Sequence, residues 1–451
     1  MRRRLCVLLP LLWLCGCAIP GGVRVMNEAE LRAALASPQA GAIELGGGEI
    51  LLTRELVLPA RPLTLRGSRR SVLRLHGDFN AIRAVEPRGL LLEQFEIAGA
   101  RTDAHARRGL PPYNVPFARD FKRNGIVIEG GQDVIVRNVT LRRVTDFAVL
   151  VSRTRNVKIE GVTVEDSGSL DERGINNTSG GIFLEEGVQR FEVLGCTLRR
   201  VRGNAIWTHS NANAPRNEDG RFANNTVDET ARDALQVGHA TRVVVEHNEG
   251  RRLGYPVPEV EPAGFAVGVD TAGNVDASVY RFNRFTDVNG NCINLDGFHH
   301  GEVRENRCES TGPFEAYPYM HYGIVFGNAN PEMESERVVV EGNVVVGAGY
   351  GGVFLIGTGH TVRGNTLRML NRARCTGDGR VARCNYALHE PDMLRSGVYF
   401  ARAANRPSRT EANVVEGNTL SGFGMDRWCV TAAPGVSLKK QRIGRNTCQA
   451  E

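Results

Sequence analysis

A short motif recurs along this chain and limits what it can fold into. VIVRNVTL (134–141), VKIEGVTV (157–164), FEVLGCTL (191–198), VVVEHNEG (243–250), GEVRENRC (301–308), VVVEGNVV (338–345), TVRGNTL (361–367) and NVVEGNTL (413–420) are copies of one pattern. Asn fills one slot of it at Asn225, Asn248, Asn283, Asn306, Asn343, Asn365, Asn418 and Asn446; Val139, Val162 and Cys196 hold the same slot earlier. Successive slots lie 23, 34, 29, 23, 35, 23, 37, 22, 53 and 28 residues apart. The floor of 22–23 residues is one coil, and the excesses are inserted loops. A coil that short cannot bury an apolar face alone, so neighbours must stack on it and extend one core. Stacking puts equivalent side chains about 4.8 Å apart, and an Asn in that slot can bond its amide to the Asn above and below.

A second strand follows each motif: NGIVIEG (124–130), FAVLVSR (147–153), GGIFLEE (180–186), NAIWTHS (204–210), DALQVGH (233–239), FAVGVDT (265–271), NCINLDG (291–297), YGIVFGN (322–328) and GGVFLIG (351–357). Its alternation predicts an inward column of Ile126, Val149, Ile182, Ile206, Leu235, Val267, Ile293, Ile324 and Val353. Fifty-two glycines and few long helical stretches agree with many short strands joined by turns. No linker-like change in composition divides the chain, so one elongated domain is expected.

Short alternating strands, an Asn ladder and coils of 22–23 residues resemble the pectin-lyase-like superfamily. The resemblance implies an all-β fold, a single right-handed parallel β-helix of about 11–13 coils over 45–451. NEAELRAALAS (27–37) looks like the helix that caps such solenoids. A fold of this kind hosts many activities, so it does not name a function.

Three arginines, the apolar run LCVLLPLLWL and Leu14-Cys15-Gly16-Cys17 have the layout of a signal peptide over 1–16. The ending resembles a bacterial lipobox, which implies acylation of Cys17, export, and a lipid anchor in the outer membrane or periplasm. The segment 17–44 would then carry the capping helix. Removal of the three arginines would lower the formal +6 to 6 − 3 = +3. No basic stripe is interleaved with aromatic residues and no zinc-finger spacing occurs, so nucleic acid is not an expected partner. A monomer whose only membrane contact is its anchor is expected.

Cys292 and Cys429 share one slot and Cys308 and Cys448 another, which suggests disulfides Cys292–Cys308 and Cys429–Cys448. Cys375 and Cys384 flank an inserted loop that a third would close. Cys196, in the inward slot, is left as a buried apolar residue.

Because the interior of a β-helix is filled, chemistry must lie on outward side chains walled by loops. Counted slot by slot, one outward column reads Val127, Leu150, Phe183, Trp207, Gln236, Gly268, Asn294, Val325, Phe354 and Tyr399. The next reads Glu129, Ser152, Glu185, His209, Gly238, Asp270, Asp296, Gly327 and Ile356. Polar residues bunch between about 180 and 300. Asp270 and Asp296 fall in adjacent rungs and are the expected acid and base, since close carboxylates raise each other's proton affinity. His209 would tune them. Glu185, Asp233, Gln236, His239, Asn294, His299 and His300 could bond sugar hydroxyls, and Trp207, Tyr319 and Tyr322 offer faces for sugar rings. Each also has a structural reading: outward Asp and Asn often cap turns, Trp207 could cover apolar surface, and two aspartates could hold Ca²⁺.

The paired-Asp and Gly-His-Gly signatures of polygalacturonase-like hydrolases are matched only loosely by DALQVGH (233–239) and NLDGFH (294–299), so no role carries over. The outward columns hold no Lys or Arg, but Arg173, Arg202, Arg232, Arg251 and Arg281 lie near enough to leave a lyase open. The expected activity is cleavage of glycosidic bonds in a polysaccharide. The alternatives are a lyase or epimerase acting on a uronate, and a non-catalytic scaffold or glycan-binding solenoid.

Overall fold

The computed structural model describes residues 22–102, 111–112, 114–175, 178–211, 213–327, 333, 335–402 and 409–451. The export segment with Cys17 lies outside them. Each coil contributes three strands, and the repeated motif spans two of these with the Asn slot at the bend between them. In one coil they are Ile126–Glu129, Gln132–Arg137 and Thr140–Arg142. Every one of them pairs in parallel with its counterpart in the next coil, for example Ile126 with Val149, Val134 with Val157 and Thr140 with Thr163. The chain is a parallel β-helix.

The third face alone carries fourteen strands among the described residues, against the 11–13 coils that the resemblance implied. The surplus is N-terminal: Gly48–Leu52, Ser71–Leu75 and Glu96–Ala98 belong to the stack without an Asn slot. There the bends hold other residues.

One continuous apolar column fills the interior from Val25 to Met425. Beside it runs the Asn ladder. Asn225 Nδ2 donates to Asn248 Oδ1 at 2.9 Å, Asn248 to Asn283 at 2.8 Å, Asn283 to Asn306 at 2.8 Å and Asn306 to Asn343 at 2.9 Å, and the row continues through Asn365 and Asn418 to Asn446. Each amide also donates to a backbone carbonyl, as Asn306 does to Tyr280, so the buried bend is satisfied. Helix α1 (Glu28–Ala36) starts at Asn27, whose side chain accepts the Glu30 N–H, and buries Leu31, Ala34 and Leu35 against the first coils. The three expected disulfides are formed, with Cα–Cα separations of 5.9, 5.8 and 5.6 Å, and Cys196 is free and buried.

Candidate functional site

The parallel ladder sets the outward neighbours and corrects the register read from the sequence. Gln236 stands opposite Asp270, and Asp270 opposite Asn294; Asp296 stands opposite Gly327. Asp270 and Asp296 are therefore not equivalent rungs. The strand Ala266–Asp276 sits two residues further along than the alternation suggested, so Val269 and not Val267 packs beside Leu235 and Ile293. A shift of two residues preserves which face each side chain takes, so the pattern of apolar and polar residues cannot reveal it.

Asp270 instead meets Asp233, which enters from the bend before Leu235. The two buried carboxyls lie near enough for each to alter the other's proton affinity. Asp233 is 1% exposed and Asp270 4%. Asp233 Oδ1 accepts the Val267 N–H at 2.9 Å, Arg232 Nε lies 3.4 Å from Oδ2, and Asn294 Nδ2 donates to Asp270 Oδ1 at 2.7 Å. Asn204 ties the floor together, accepting the Asp233 N–H at 3.2 Å and donating to Gln236. Burial pushes both carboxyls above the usual range. The charge of Asp270 pushes Asp233 further, whereas the Asn294 amide and Arg232 hold Asp270 down. Two carboxyls this close in a low-dielectric site do not both ionise readily, so the pair keeps a proton to higher pH than a free carboxyl would.

This pair forms the floor of a cavity of about 370 Å³. Its polar lining is Arg232, Asp233, Asp270, Asn291, Asn294 and His321. Its apolar lining includes Phe265, Tyr322, Phe354, Tyr386 and Met393. Phe265 and His321 stack at 4.7 Å, and burial lowers the His321 imidazole to about 4, so it is neutral at ordinary pH. Tyr322 is anchored by its hydroxyl to the Met393 carbonyl at 2.7 Å and by its N–H to Asn291 at 3.0 Å. Three insertions build the walls: the loop before Phe265, the loop before Tyr322, and the segment from Asn371 to Ser396 closed by Cys375–Cys384.

The remaining sequence-expected residues divide. Gln236 borders the floor, and Asp296 is partly exposed at the edge, its Oδ1 over the space that Gly327 leaves open. Glu185 is not available to a sugar: its oxygens accept the Phe117 and Ala118 N–H groups of helix α2 (Phe117–Asp120) at 2.8 and 2.9 Å. Trp207 is buried by the same helix and stacks on Phe183 at 3.9 Å, so it covers apolar surface. His209 is drawn into this cluster, 5.0 Å from His239, and burial lowers it to about 4. It is not among the residues that line the cavity. His299 ends the short strand Phe298–His299, and His300 follows it, within 2.9 Å of Asp276 and 3.2 Å of Glu336. Tyr319 is outside the cavity lining, its N–H held by Asn289 at 2.8 Å. Among the described residues no three His, Cys, Asp or Glu side chains group so as to hold a metal ion.

His321, Phe265, Asn291 and Tyr386 were not singled out from sequence. The interval of 53 residues between Asn365 and Asn418 was the available signal, since the largest insertion supplies a wall.

Residues 117–252 match the family model described as a right handed beta helix region, which agrees with the expected hand. No curated protein sequence matches the chain. Among solved structures, the catalytic domain of a GH87 alpha-1,3-glucanase in complex with tetrasaccharides is 10% identical with a TM-score of 0.60, over 96% of this chain and 70% of that one. The Dettilon tailspike protein is 12% identical with a TM-score of 0.59, over 93% and 70%. PfbA, a surface adhesin of Streptococcus pneumoniae, is 13% identical with a TM-score of 0.58, over 76% and 86%. At such identities the likeness is one of fold.

Proposed function

We propose that this right-handed parallel β-helix hydrolyses a glycosidic bond of a carbohydrate in the cell envelope or its surroundings. The observation that carries the reading is the Asp233–Asp270 pair, two neighbouring buried carboxyls held above the usual carboxylate range at the floor of a cavity walled by aromatic rings. The likeness in fold to a glucanase that holds tetrasaccharides supports it. Apolar ring faces beside a few convergent polar groups suit a sugar.

In this reading the pair protonates the bridging oxygen as the C–O bond breaks. Asp296 takes a proton from the water whose oxygen bonds to the anomeric carbon. Asp270 and Asp296 are one strand and two residues apart, so their Cα atoms are offset by about 8 Å, of the order that leaves room for a water between the acid and base of an inverting enzyme.

The test is a glycan panel, including alpha-1,3-glucan and polygalacturonate, with products separated by chromatography. Asp233→Asn and Asp270→Asn are expected to fold and to lose about 10²-fold or more in kcat. Full activity in both variants would sink the assignment. Arg232 beside the pair is the observation that favours a lyase as the second reading, and an unsaturated product absorbing in the ultraviolet would identify it.

Three disulfides support export to an oxidising compartment. Anchoring through Cys17 is part of the proposal, and Cys17→Ser should move the protein from the membrane fraction to the soluble one.

A further inference from the structure

We infer that the site takes the end of a glycan chain, or a short oligosaccharide, and does not cut within a chain laid along the solenoid. The inference rests on the hydrolase reading and adds which part of the substrate enters.

The outward column that carries Asp270 runs Val127, Leu150, Phe183, Trp207, Gln236, Asp270, Asn294, Val325, Phe354 and Tyr399. An open groove along the axis would need this column bare for many rungs. It is covered at both ends. On the N-terminal side Phe117 and Phe121 bury Val127, Leu150, Phe183 and Trp207, with Phe117 edge-on to Trp207 at 5.9 Å. The cover is fastened, because the Phe117 and Ala118 N–H groups bond the buried Glu185 carboxyl.

On the C-terminal side the insertion with Cys375–Cys384 packs against Val325 and Phe354, and the column is closed at Tyr399, which is 1% exposed with its hydroxyl held by Glu390 at 2.7 Å. Of this column, only Asp270, Asn294, Val325 and Phe354 line the cavity between the covers. Four rungs span about 14 Å at the strand spacing, too short for a polysaccharide to lie along the axis and pass out at both ends. A third boundary comes from Ala263, Gly264, Phe265 and His321 at the start of these strands. Toward the strand ends the residues are small, Gly238, Ala272 and Gly327, and that side leads past Asp296. The cavity has the form of a blind pocket, and a chain enters a blind pocket by its end.

The experiment follows full-length protein on a linear glycan that it cleaves, and on the same glycan as a series of reducing-end-labelled oligosaccharides from two to eight units. The expected result is stepwise loss of terminal units, with reducing ends accumulating while the viscosity of the polymer falls slowly. Early mid-length fragments with a rapid fall in viscosity would overturn the inference and leave the hydrolase reading standing. Absence of product from the whole panel would instead overturn the reading on which it rests. Tyr386→Ala supplies an independent measurement. Tyr386 is 53% exposed, so its truncation leaves the core intact while lowering the wall. The variant should yield longer released products than the wild type; an unchanged product ladder counts against the wall as the device that limits entry.

Discussion

Asn294 donates its amide to Asp270 Oδ1 at 2.7 Å from the adjoining rung, on the side away from Gln236. The bond favours the ionised form of Asp270 and opposes the burial that pushes this carboxyl up. Asn294→Ala removes that support, so the Asp270 carboxyl rises further and the pair holds its proton to higher pH. The alkaline limb of the pH–rate profile should move up and kcat should fall about tenfold, the scale of a hydrogen bond to a charged group. A variant with lower activity but an unmoved limb would assign Asn294 to packing alone.

Asp233→Asn and Asp270→Asn should differ from wild type in stability in a direction opposite to that of activity. A carboxyl raised by the fold contributes stability below its unfolded value, and that contribution is lost as pH rises through the folded value. At pH 8 the wild type therefore holds charge in a site that disfavours it. Either Asn variant should unfold at an equal or higher temperature there, measured by calorimetry. A large loss of stability in both would mark the pair as a structural network.

The residues that disagree with the sequence reading show what a repeat pattern can carry. Inward and outward faces were legible because strand alternation reports them directly, and the Asn ladder was legible because each coil repeats it. The rung of Asp270 was not, since FAVGVDT (265–271) offers Val267 and Val269 in the same parity and either satisfies the core. Glu185 and Trp207 were correctly placed on the outward face, but their cover comes from Phe117 and Ala118, far away in sequence and outside any repeat. Asp233 was expected to contact a sugar hydroxyl; the bend that turns it toward Asp270 is a tertiary feature.

Glu185 gives a stability signature separate from the active pair. Burial raises its carboxyl from 4.5 to about 7, despite two backbone N–H groups that favour the ionised form. The fold therefore favours the protonated acid: its contribution is complete below about pH 4.5 and lost as pH rises through about 7. A rise of this size corresponds to at most about 3 kcal/mol. Glu185→Gln keeps an acceptor for α2 and cannot ionise. The difference in unfolding free energy between variant and wild type should grow in the variant's favour from pH 5 to pH 8, and a constant difference would show that Glu185 does not titrate in this range.

Position along the Asn ladder should set the cost of breaking it. Asn306 donates to Tyr280 O and Asn343 Oδ1, and its Oδ1 accepts both the N–H and the amide of Asn283. Asn306→Ala orphans several buried groups at about 1–3 kcal/mol each, so urea unfolding should show a loss of about 3 kcal/mol or more. Asn446 ends the row and is only partly buried. Asn446→Ala should cost about 1 kcal/mol, since water can replace what is lost. Equal costs at the two positions would refute the ladder as a cooperative device.

The Cys375–Cys384 bridge closes a loop with a sequence separation of 9. By chain entropy such a closure is worth about 2–3 kcal/mol, but the segment packs as its own cluster over Val325 and Phe354, outside the continuous core. Its loss should therefore loosen the wall more than the solenoid. Tyr386 and Met393 leave their places in the cavity when the segment frays, whereas Asp233, Asp270 and Asn294 are fixed by the ladder beneath. Replacing both cysteines by Ser is expected to raise KM several-fold with little change in kcat, and to open the segment to limited proteolysis while the main unfolding transition barely moves. If kcat collapsed with KM unchanged, the wall would have to position the acid pair, and the division of labour between insertion and scaffold would be wrong.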